Sequence, residues 1–403
     1  MRFHTISLAL VLCAVCTMAQ DKSALKAVSE SSERFATKFF KTVSKENDGK
    51  NVISSPVSAY SVLSMAAMGA GGRTARQMRT SLSLPADDSV SLRGMQTLMD
   101  EINNVKNVTL EMANKMYVAK SLKVKPSFNA LATDSFRSEA ADLDISNPSA
   151  AVKEVNNWVD QKTHHKIEKI LEDGDIDGDT RMVILNAVYF KGKWAKPFEN
   201  KQTEDKPFYY MENKTRKEKL VPTMYVKGDF FYGEMHDLKA KFIELPYQNK
   251  DIRMVIIVPD EVDGLSKVEQ NLEAFNYNRL TTIGFKREVE LYMPKFKVES
   301  TLDLKAVLEK MGMTDMFTDY ANFSGISDQP IKVGKVLQKA FIEVNEEGSE
   351  AAAVTGMMFQ LLSMPMPQMT DKLLIDRPFY YEIIKQVNRK EVITLFSGVV
   401  RTL

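Results

Sequence analysis

The feature that most constrains this chain is a run of small residues near its C-terminus, which reads EEGSEAAAVTG from Glu346 to Gly356. Side chains on a β-strand alternate between two faces. One face of the run would carry Ser349, Ala351, Ala353, Thr355, Met357, Phe359 and Leu361. That face bears no charge and could enter a core, while Glu350 and Gln360 stay in water. The run is a poor catalytic site and a good candidate for a loop that becomes a strand. A simple linker of small residues is the alternative.

Composition favours one soluble globular domain. The 403 residues are long enough for several domains, but no Pro-, Gly- or Ser-rich linker and no internal repeat marks a boundary. Apolar residues at 44% and charged residues at 27% are ordinary for such a domain. With 54 Lys and Arg against 53 Asp and Glu, the net charge is close to zero, so no nucleic-acid partner is expected.

The N-terminus reads as a secretory signal peptide over residues 1–19, with cleavage after Ala19. Its apolar stretch is too short to span a bilayer, which makes a membrane anchor the weaker alternative. Both cysteines, Cys13 and Cys16, lie inside this signal. The mature chain, residues 20–403, would be a secreted, extracellular protein with no membrane partner, no disulfide and no thiol nucleophile.

Hydrophobic periodicity predicts an α+β chain rather than a regular βαβ repeat. Helices are expected over residues 25–43, from Pro56 with Ser55 as N-cap to Gly69, and over residues 151–172. The face of the last helix that carries Val155, Trp158 and Val159 is expected to be buried. Strands are expected over residues 183–190, 254–258, 289–293, 337–344 and 392–396.

Several further motifs follow one another along the chain. They are NVISSPVS from Asn51, NNWV from Asn156, NAVYFKGKW from Asn186, ELPY from Glu244, KAFIEV from Lys339, RPF from Arg377 and LFSG from Leu395. Together with the small-residue run, their order and spacing resemble the serpins, and the resemblance covers nearly the whole mature chain. One departure is His165, beside His164, where the family often has a glycine. It puts the local turn in doubt but not the fold.

The resemblance implies the α+β serpin fold, in which helices pack around a large, mainly antiparallel central sheet and two smaller sheets. A hinge and an exposed reactive-centre loop would occupy about residues 346–376. The implied hinge residues are Glu346, Glu347, Gly348, Ser349, Glu350, Ala351, Ala352 and Ala353. The implied shutter beneath the central sheet comprises Ser55, Ser58, Asn186 and Gln338, which need hydrogen-bond partners if they are buried. Trp194 would lie at the breach, where the sheet first opens.

The resemblance also implies suicide inhibition of serine proteases. The protease cleaves the loop, is held as an acyl-enzyme and is carried along when the cut loop inserts into the sheet. Counting from Gly348 places Leu362 before the cleaved bond and Ser363 after it, with Leu361 as a neighbouring alternative. An apolar residue suits chymotrypsin-like proteases such as chymase or cathepsin G, and then elastase-like ones. Residues 356–370 hold no Lys or Arg for a trypsin-like target.

Two function classes remain open. The first is a monomeric protease inhibitor that needs no cofactor, and the uncharged inward face of the hinge favours it. The second is a non-inhibitory serpin that acts as a carrier, chaperone or interaction protein. The amino-acid sequence as a whole also resembles the secreted serpins of blood-feeding arthropods such as ticks.

An enzyme is not expected. Only His164, His165 and His236 follow the signal, and no Gly-x-Ser-x-Gly, phosphate-binding or His-Glu-x-x-His motif occurs. The adjacent histidines lack a third ligand nearby, so no metal site is expected either.

Three sequons, at Asn107, Asn213 and Asn322, predict N-glycosylation of a secreted chain. Two mildly basic groups, residues 120–125 and 213–219, are interpreted as solvated faces. Binding of a glycosaminoglycan is the weaker alternative for them.

Overall fold

Helices come early in the chain and strands dominate later. The computed structural model describes residues 2–274, 277–348, 370–388 and 391–403, with the backbone alone for residues 2–19, 274 and 278. The helices are α1 (Arg2–Glu46), α2 (Pro56–Met68), α3 (Gly72–Ser81), α4 (Asp88–Asn103), α5 (Pro126–Phe136), α6 (Pro148–Lys162), α7 (Leu265–Gln270), α8 (Tyr277–Ile283) and α9 (Lys305–Lys310). The strands are β1 (Val52–Ser54), β2 (Val108–Ala119), β3 (Glu139–Leu143), β4 (Met182–Gly192), β5 (Glu204–Glu212), β6 (Thr215–Met235), β7 (Ala240–Pro246), β8 (Ile252–Pro259), β9 (Phe285–Pro294), β10 (Phe296–Asp303), β11 (Val333–Val344), β12 (Asp371–Leu374), β13 (Phe379–Gln386) and β14 (Val392–Val400).

Helix α1 contains the predicted helix over residues 25–43 and packs closely against α4. A Cβ atom at Gly94 would lie 2.5 Å from the carbonyl oxygen of Ala24, so this approach requires glycine. Arg93 Nη1 donates a hydrogen bond to Gln20 Oε1 at 2.9 Å. Cleavage after Ala19 would fall within α1 and leave both of these contacts on the mature chain. In the part of the chain that the structure describes, no helix combines the length and the apolar content needed to cross a membrane.

Helix α2 begins at Pro56 and is followed by Gly69, as predicted. Ser55 occupies the N-cap position with an extended backbone, but its side chain makes no capping hydrogen bond. The hydroxyl instead donates to the carbonyl oxygen of Leu395 on β14 at 2.7 Å. Every residue of α2 except Met68 is buried, so the helix lies in the core rather than on its surface.

The predicted helix over residues 151–172 was wrong at its C-terminal end, because α6 ends before Thr163. The Thr163 hydroxyl accepts a hydrogen bond from the Ile167 amide at 3.0 Å and closes a turn. His164 and His165 adopt φ angles of 51° and 60°, in the left-handed region that glycine enters more easily. Two histidines therefore form this turn where the family often has a glycine.

The five-stranded sheet has the order β10-β11-β4-β2-β3. Its β10–β11 and β4–β2 pairs are antiparallel, whereas its β11–β4 and β2–β3 pairs are parallel. Strands β4 and β11 are direct neighbours, paired from Met182 and Val333 to Tyr189 and Phe341. This parallel pair lies in the middle of the sheet.

The nine-stranded sheet has the order β1-β14-β13-β8-β7-β6-β9-β12, with β5 paired to β6. Strand β6, 21 residues long, connects its two parts. It pairs with β5 over residues 215–223, with β9 over residues 223–232 and with β7 over residues 231–235. The resemblance implies two smaller sheets besides the central one. In the structure their strands form one continuous hydrogen-bonded sheet, joined through β6.

Helix α6 covers one face of the five-stranded sheet. Val155 and Val159 are buried in a core that also contains Leu185 of β4 and Leu337 of β11. Trp158, expected on the same buried face, is only partly buried. Helix α6 contacts β2 most closely, where the ring of Trp158 meets that of Tyr117 edge-on with centroids 6.2 Å apart.

The predicted strands are confirmed within β4, β8, β9, β11 and β14. Strand β4 is buried along almost its whole length, as expected for a strand covered on both faces. Strand β9 alternates, with Val289, Leu291 and Met293 buried. The α+β fold class is confirmed.

Candidate functional site

The chain leaves β11 through a hinge that is hydrogen-bonded to the segment after β4. The Trp194 amide donates to the carbonyl oxygen of Glu347 at 2.9 Å, and Gly348 forms an antiparallel bridge with Lys193. The described part of the predicted hinge, residues 346–348, therefore lies against the end of β4. These hydrogen bonds hold residues 346–348 in place where the chain leaves β11.

Gly348 occupies a position that only glycine fits. Its φ angle is 142°, which side chains rarely permit. A Cβ atom there would lie 2.0 Å from the carbonyl oxygen of Gly192 and 2.6 Å from the Cα of Lys193. The hinge glycine is thus explained by the close approach of two backbones.

Glu346 anchors the hinge through its buried side chain. Its Oε1 accepts a hydrogen bond from Thr203 Oγ1 at 2.8 Å, and its Oε2 lies 2.9 Å from Lys295 Nζ. Its carbonyl oxygen accepts from the Phe198 amide at 2.8 Å. Burial opposes ionisation, but the hydrogen bonds from Lys295 and Thr203 outweigh it and hold the pKa of Glu346 below its usual value. The sequence indicated Glu346 but neither of these side-chain partners.

Trp194 lies where the end of β11 meets the turn between β7 and β8. Its Nε1 donates to the carbonyl oxygen of Asn345 at 3.0 Å. Its ring stacks on Tyr247, with centroids 4.5 Å apart and planes 18° apart. Both rings are buried. The structure thus places Trp194 next to the hinge, at the position where the resemblance puts the breach.

Short polar side chains meet at the junction of β4 and β11. Gln338 and Asn186 are register partners, and Gln338 Nε2 donates to Asn186 Oδ1. Asn186 Nδ2 donates to both Ser58 Oγ and Asn114 Oδ1. The Ser58 hydroxyl donates to Asn114 Oδ1 at 2.8 Å. We call these four buried residues the polar cluster.

Ser55 joins the polar cluster through its backbone. Its amide donates to Gln338 Oε1 at 2.9 Å, and its carbonyl oxygen accepts from Gln338 Nε2 at 2.9 Å. The structure therefore brings together all four predicted shutter residues. Asn114 was missed, although its place between Met112 and Met116 on one face of β2 was a readable signal of a buried polar group.

Most of the predicted loop lies outside the described residues. This applies to Ser349, Glu350, Ala351, Ala352 and Ala353 of the hinge and to the cleavage pair Leu362 and Ser363. The description resumes at Thr370, whose Oγ1 donates to Glu288 Oε1 at 2.5 Å. Strand β12 then pairs with β9. Residues 349–369 therefore connect the five-stranded sheet to the nine-stranded sheet.

All three sequon asparagines are exposed. Asn107 and Asn213 have positive φ angles, and Asn213 lies in the turn between β5 and β6. Asn322 is more constrained, because a Cβ atom at Gly71 would lie 3.0 Å from its side-chain amide. Glycosylation stays a prediction, and the packing is least favourable at Asn322.

The adjacent histidines bind carboxylates on different elements. His164 Nε2 lies 3.2 Å from Glu111 Oε1 on β2, and His165 Nδ1 lies 2.7 Å from Asp160 Oδ2 on α6. Within the described ranges, no group of three His, Cys, Asp or Glu side chains could hold a metal ion.

Comparison with known proteins agrees with this architecture. The family model described as Serpin (serine protease inhibitor) matches residues 30–402. The chain belongs to the serpin family. This serpin is 36% identical over 389 residues to alaserpin of Manduca sexta, across 96% of each chain. It is 36% identical over 369 residues to leukocyte elastase inhibitor of Bos taurus, across 89% of this chain and 96% of the other.

The fold of this serpin also matches a solved structure. Serpin48 from the insect Tenebrio molitor superposes with a TM-score of 0.83 at 30% identity, over 94% of this chain and 98% of the other. The family description names inhibition of a protease rather than catalysis. For this serpin, the junction of β4 and β11, with the polar cluster below it and the hinge at its end, is therefore the site to examine.

Proposed function

We propose that this serpin is a secreted, monomeric inhibitor of serine proteases with an apolar primary pocket. The observation that carries the proposal is the direct parallel pairing of β4 and β11 beside an anchored hinge. A strand inserted between β4 and β11 would be antiparallel to both, because the chain reverses direction after it leaves β11. The small residues that follow Gly348 supply such a strand.

The residues on the inward face of the inserting strand favour its entry. Ser349, Ala351, Ala353 and Thr355 are small and uncharged. A charge at any of these positions would have to leave water as the strand enters the sheet, which is unfavourable without a partner. The segment of residues 349–362 would extend to about 45 Å at ~3.3 Å per residue, which is long enough to carry a bound protease along the sheet.

The chemical step belongs to the protease and uses the loop as a substrate. The protease serine hydroxyl would give its proton to the protease histidine and attack the carbonyl carbon of Leu362, which forms a tetrahedral intermediate. This intermediate would collapse to an ester as the bond to the Ser363 nitrogen breaks, and that nitrogen would leave with the proton from the histidine. Insertion of the new chain end, with the protease still attached, would distort the catalytic site before water hydrolyses the ester.

The target class follows from the residue before the cleaved bond. Leu362 fits an apolar primary pocket, which favours chymotrypsin-like proteases such as chymase or cathepsin G and then elastase-like proteases. A relative named leukocyte elastase inhibitor is consistent with the second group. Secretion rests on the signal peptide of residues 1–19 and on the exposed sequons.

The test is incubation of the mature chain with chymotrypsin, chymase, cathepsin G and leukocyte elastase, followed by denaturing electrophoresis. We expect a complex that survives SDS, and a higher melting temperature for the chain that has been cleaved in its loop. If every protease cleaved the loop and none formed an SDS-stable complex, the result would favour the alternative function of a non-inhibitory carrier or chaperone.

Two matched substitutions sharpen the test. Ala353→Arg places a charge on the inward face, and we expect cleavage without complex formation. Ala352→Arg places the same side chain on the outward face, and we expect the complex to persist. Equal behaviour of the two variants would contradict the insertion mechanism, because only strand insertion distinguishes these faces.

A further inference from the structure

The hairpin formed by β5 and the start of β6 is anchored on the core by Phe208, while residues 215–220 of β6 are exposed on both faces. In an antiparallel pair, directly paired residues share a face. Phe208, paired with Lys219, is fully buried and marks the inner face. The outer face carries the pairs Pro207–Leu220, Tyr209–Glu218 and Met211–Arg216. We call these six residues the hairpin patch.

The hairpin patch has the composition of a protein interface. Met211 is 41% exposed and Leu220 is 66% exposed, and they are two of the four large hydrophobic residues exposed in the described chain. The guanidinium of Arg216 lies 4.1 Å from the ring centroid of Tyr209, which preorganises both side chains. Met, Tyr and Arg are enriched where proteins bind one another, and a cluster of exposed apolar residues commonly marks such a site.

The hairpin patch lies next to the C-terminal anchor of the reactive loop. The Tyr209 amide donates to the carbonyl oxygen of Asp376 at 2.7 Å. Asp376 lies six positions after Thr370, where the described chain resumes after the loop, so their Cα atoms are at most about 22 Å apart. A compact domain of about 200 to 250 residues has a radius of gyration of about 17 Å and is about 45 Å across. A protease of this size docked near Thr370 would therefore span the distance to the Tyr209 end of the hairpin patch.

We propose that the hairpin patch is a second contact site for the target protease, and that it accelerates the first encounter before the loop is cleaved. The inference rests on the proposed inhibitory function. The partner surface would be apolar, with a carboxylate placed to meet Arg216. Arg216 and Glu218 of the patch have opposite signs, but the exposed neighbours Lys217 and Lys219 make the hairpin mildly basic. The position of the patch beside the anchor of the loop, rather than its charge, favours the protease as its partner.

The experiment compares the association rate constants of three forms with the four proteases named above. The patch variant carries Met211→Ser, Arg216→Ala and Leu220→Ser, all at exposed positions. The control carries Tyr320→Ser and Lys123→Ala; Tyr320 is 79% exposed and packs near Arg73 of α3 rather than the hairpin. If the triple variant melts at a lower temperature than the wild type, the single variant Leu220→Lys takes its place in the comparison.

We expect the patch variant to react about tenfold or more slowly with at least one protease, with unchanged stoichiometry and a control within about twofold of the wild type. The same loss of association rate should appear when both forms also carry Asn213→Gln, which removes any glycan at the hairpin turn that would cover the patch. Unchanged association rates with every protease would overturn the inference while leaving inhibition itself intact. An absence of any SDS-stable complex would instead overturn the proposed function.

Two other occupants have distinct signatures that would also overturn the inference. A slower reaction of the patch variant only in the presence of heparin would assign the patch to a polyanion. A wild-type dimer that the patch substitutions dissociate in size-exclusion chromatography would assign it to a second copy of this chain.

Discussion

Asn186 on β4 and Gln338 on β11 face each other across the parallel pair, and their side chains are hydrogen-bonded to each other. Both are fully buried. The hydrogen bond therefore spans the junction that the proposed strand insertion would open. Under that proposal, it would link the stability of the native state to the ease of insertion.

Replacing Asn186 should loosen this junction. Asn186→Ala leaves Gln338, Ser58 and Asn114 with unsatisfied buried groups, so we expect a loss of about 2 to 4 kcal/mol in unfolding free energy. Urea unfolding measures this loss. Asn157→Ala, on the exposed side of α6, is the control, and equal stability of the two variants would contradict the role assigned to the cluster.

The Glu346 anchor should be sensitive to acid. Its folded-state pKa is lowered, so its contribution to stability is present above the unfolded pKa of about 4.5 and is lost as pH falls through the folded value. At pH 7 we expect Glu346→Gln to lower stability by about 1 kcal/mol, and the difference from wild type to vanish as pH falls through the folded-state pKa of Glu346. Melting curves across pH measure it. The control is Glu299→Gln on β10, whose side chain is half-exposed beside Lys339, and its stability should differ little from that of the wild type. A loss of stability in Glu346→Gln that does not depend on pH would refute the account.

Trp194 should report hinge movement by fluorescence. The chain has two tryptophans, so Trp158→Phe leaves Trp194 as the only indole emitter. The proposed loop insertion would withdraw the residues to which Trp194 is hydrogen-bonded, so we expect the emission of Trp194 to shift when the loop is cleaved by chymotrypsin. Trp194→Phe should lose most of that shift. A rise in melting temperature without any spectral change in Trp158→Phe would place Trp194 away from the moving segment.

A partly buried acid on α1 should make stability fall as pH rises from about 4.5 to 8. Burial, and then the nearby charge of Glu382, raise the pKa of Glu33 to about 8. Because the folded state holds this proton more tightly, the stabilising contribution is complete below about pH 4.5 and is lost as pH rises through 8. We expect the wild type to lose about 1 to 3 kcal/mol from this group between pH 5 and 9, allowing for partial exposure.

Glu33→Gln should flatten this decline, whereas Glu30→Gln, one turn earlier and half-exposed, should leave it unchanged. Unfolding free energies at pH 5, 7 and 9 decide the point. Parallel pH profiles for wild type and Glu33→Gln would show that another group controls this fall in unfolding free energy.

Local patterns were reliable where one signal dominated. The strand over residues 183–190 and the helix beginning at Pro56 followed from apolar runs and from helix-start chemistry. The helix over residues 151–172 failed because Thr163 and the two left-handed histidines end it, and their turn resembles no standard stop signal. The side-chain partners of Glu346 could not be predicted from the sequence either, because Thr203 and Lys295 lie far from Glu346 along the chain.

The sequence by itself determined the family, the α+β class and the list of small polar residues that would need partners, whereas the hinge over Glu346 to Ala353 stays a prediction. Ordered motifs and residue types are sufficient for this, because they are properties of local chemistry. Only the tertiary structure decided that Asn114 completes the polar cluster, that β4 and β11 are direct neighbours, and that Gly348 lies against Gly192. Each of these depends on two backbone segments far apart in the chain, whose separation in space is set by the packing of the whole domain.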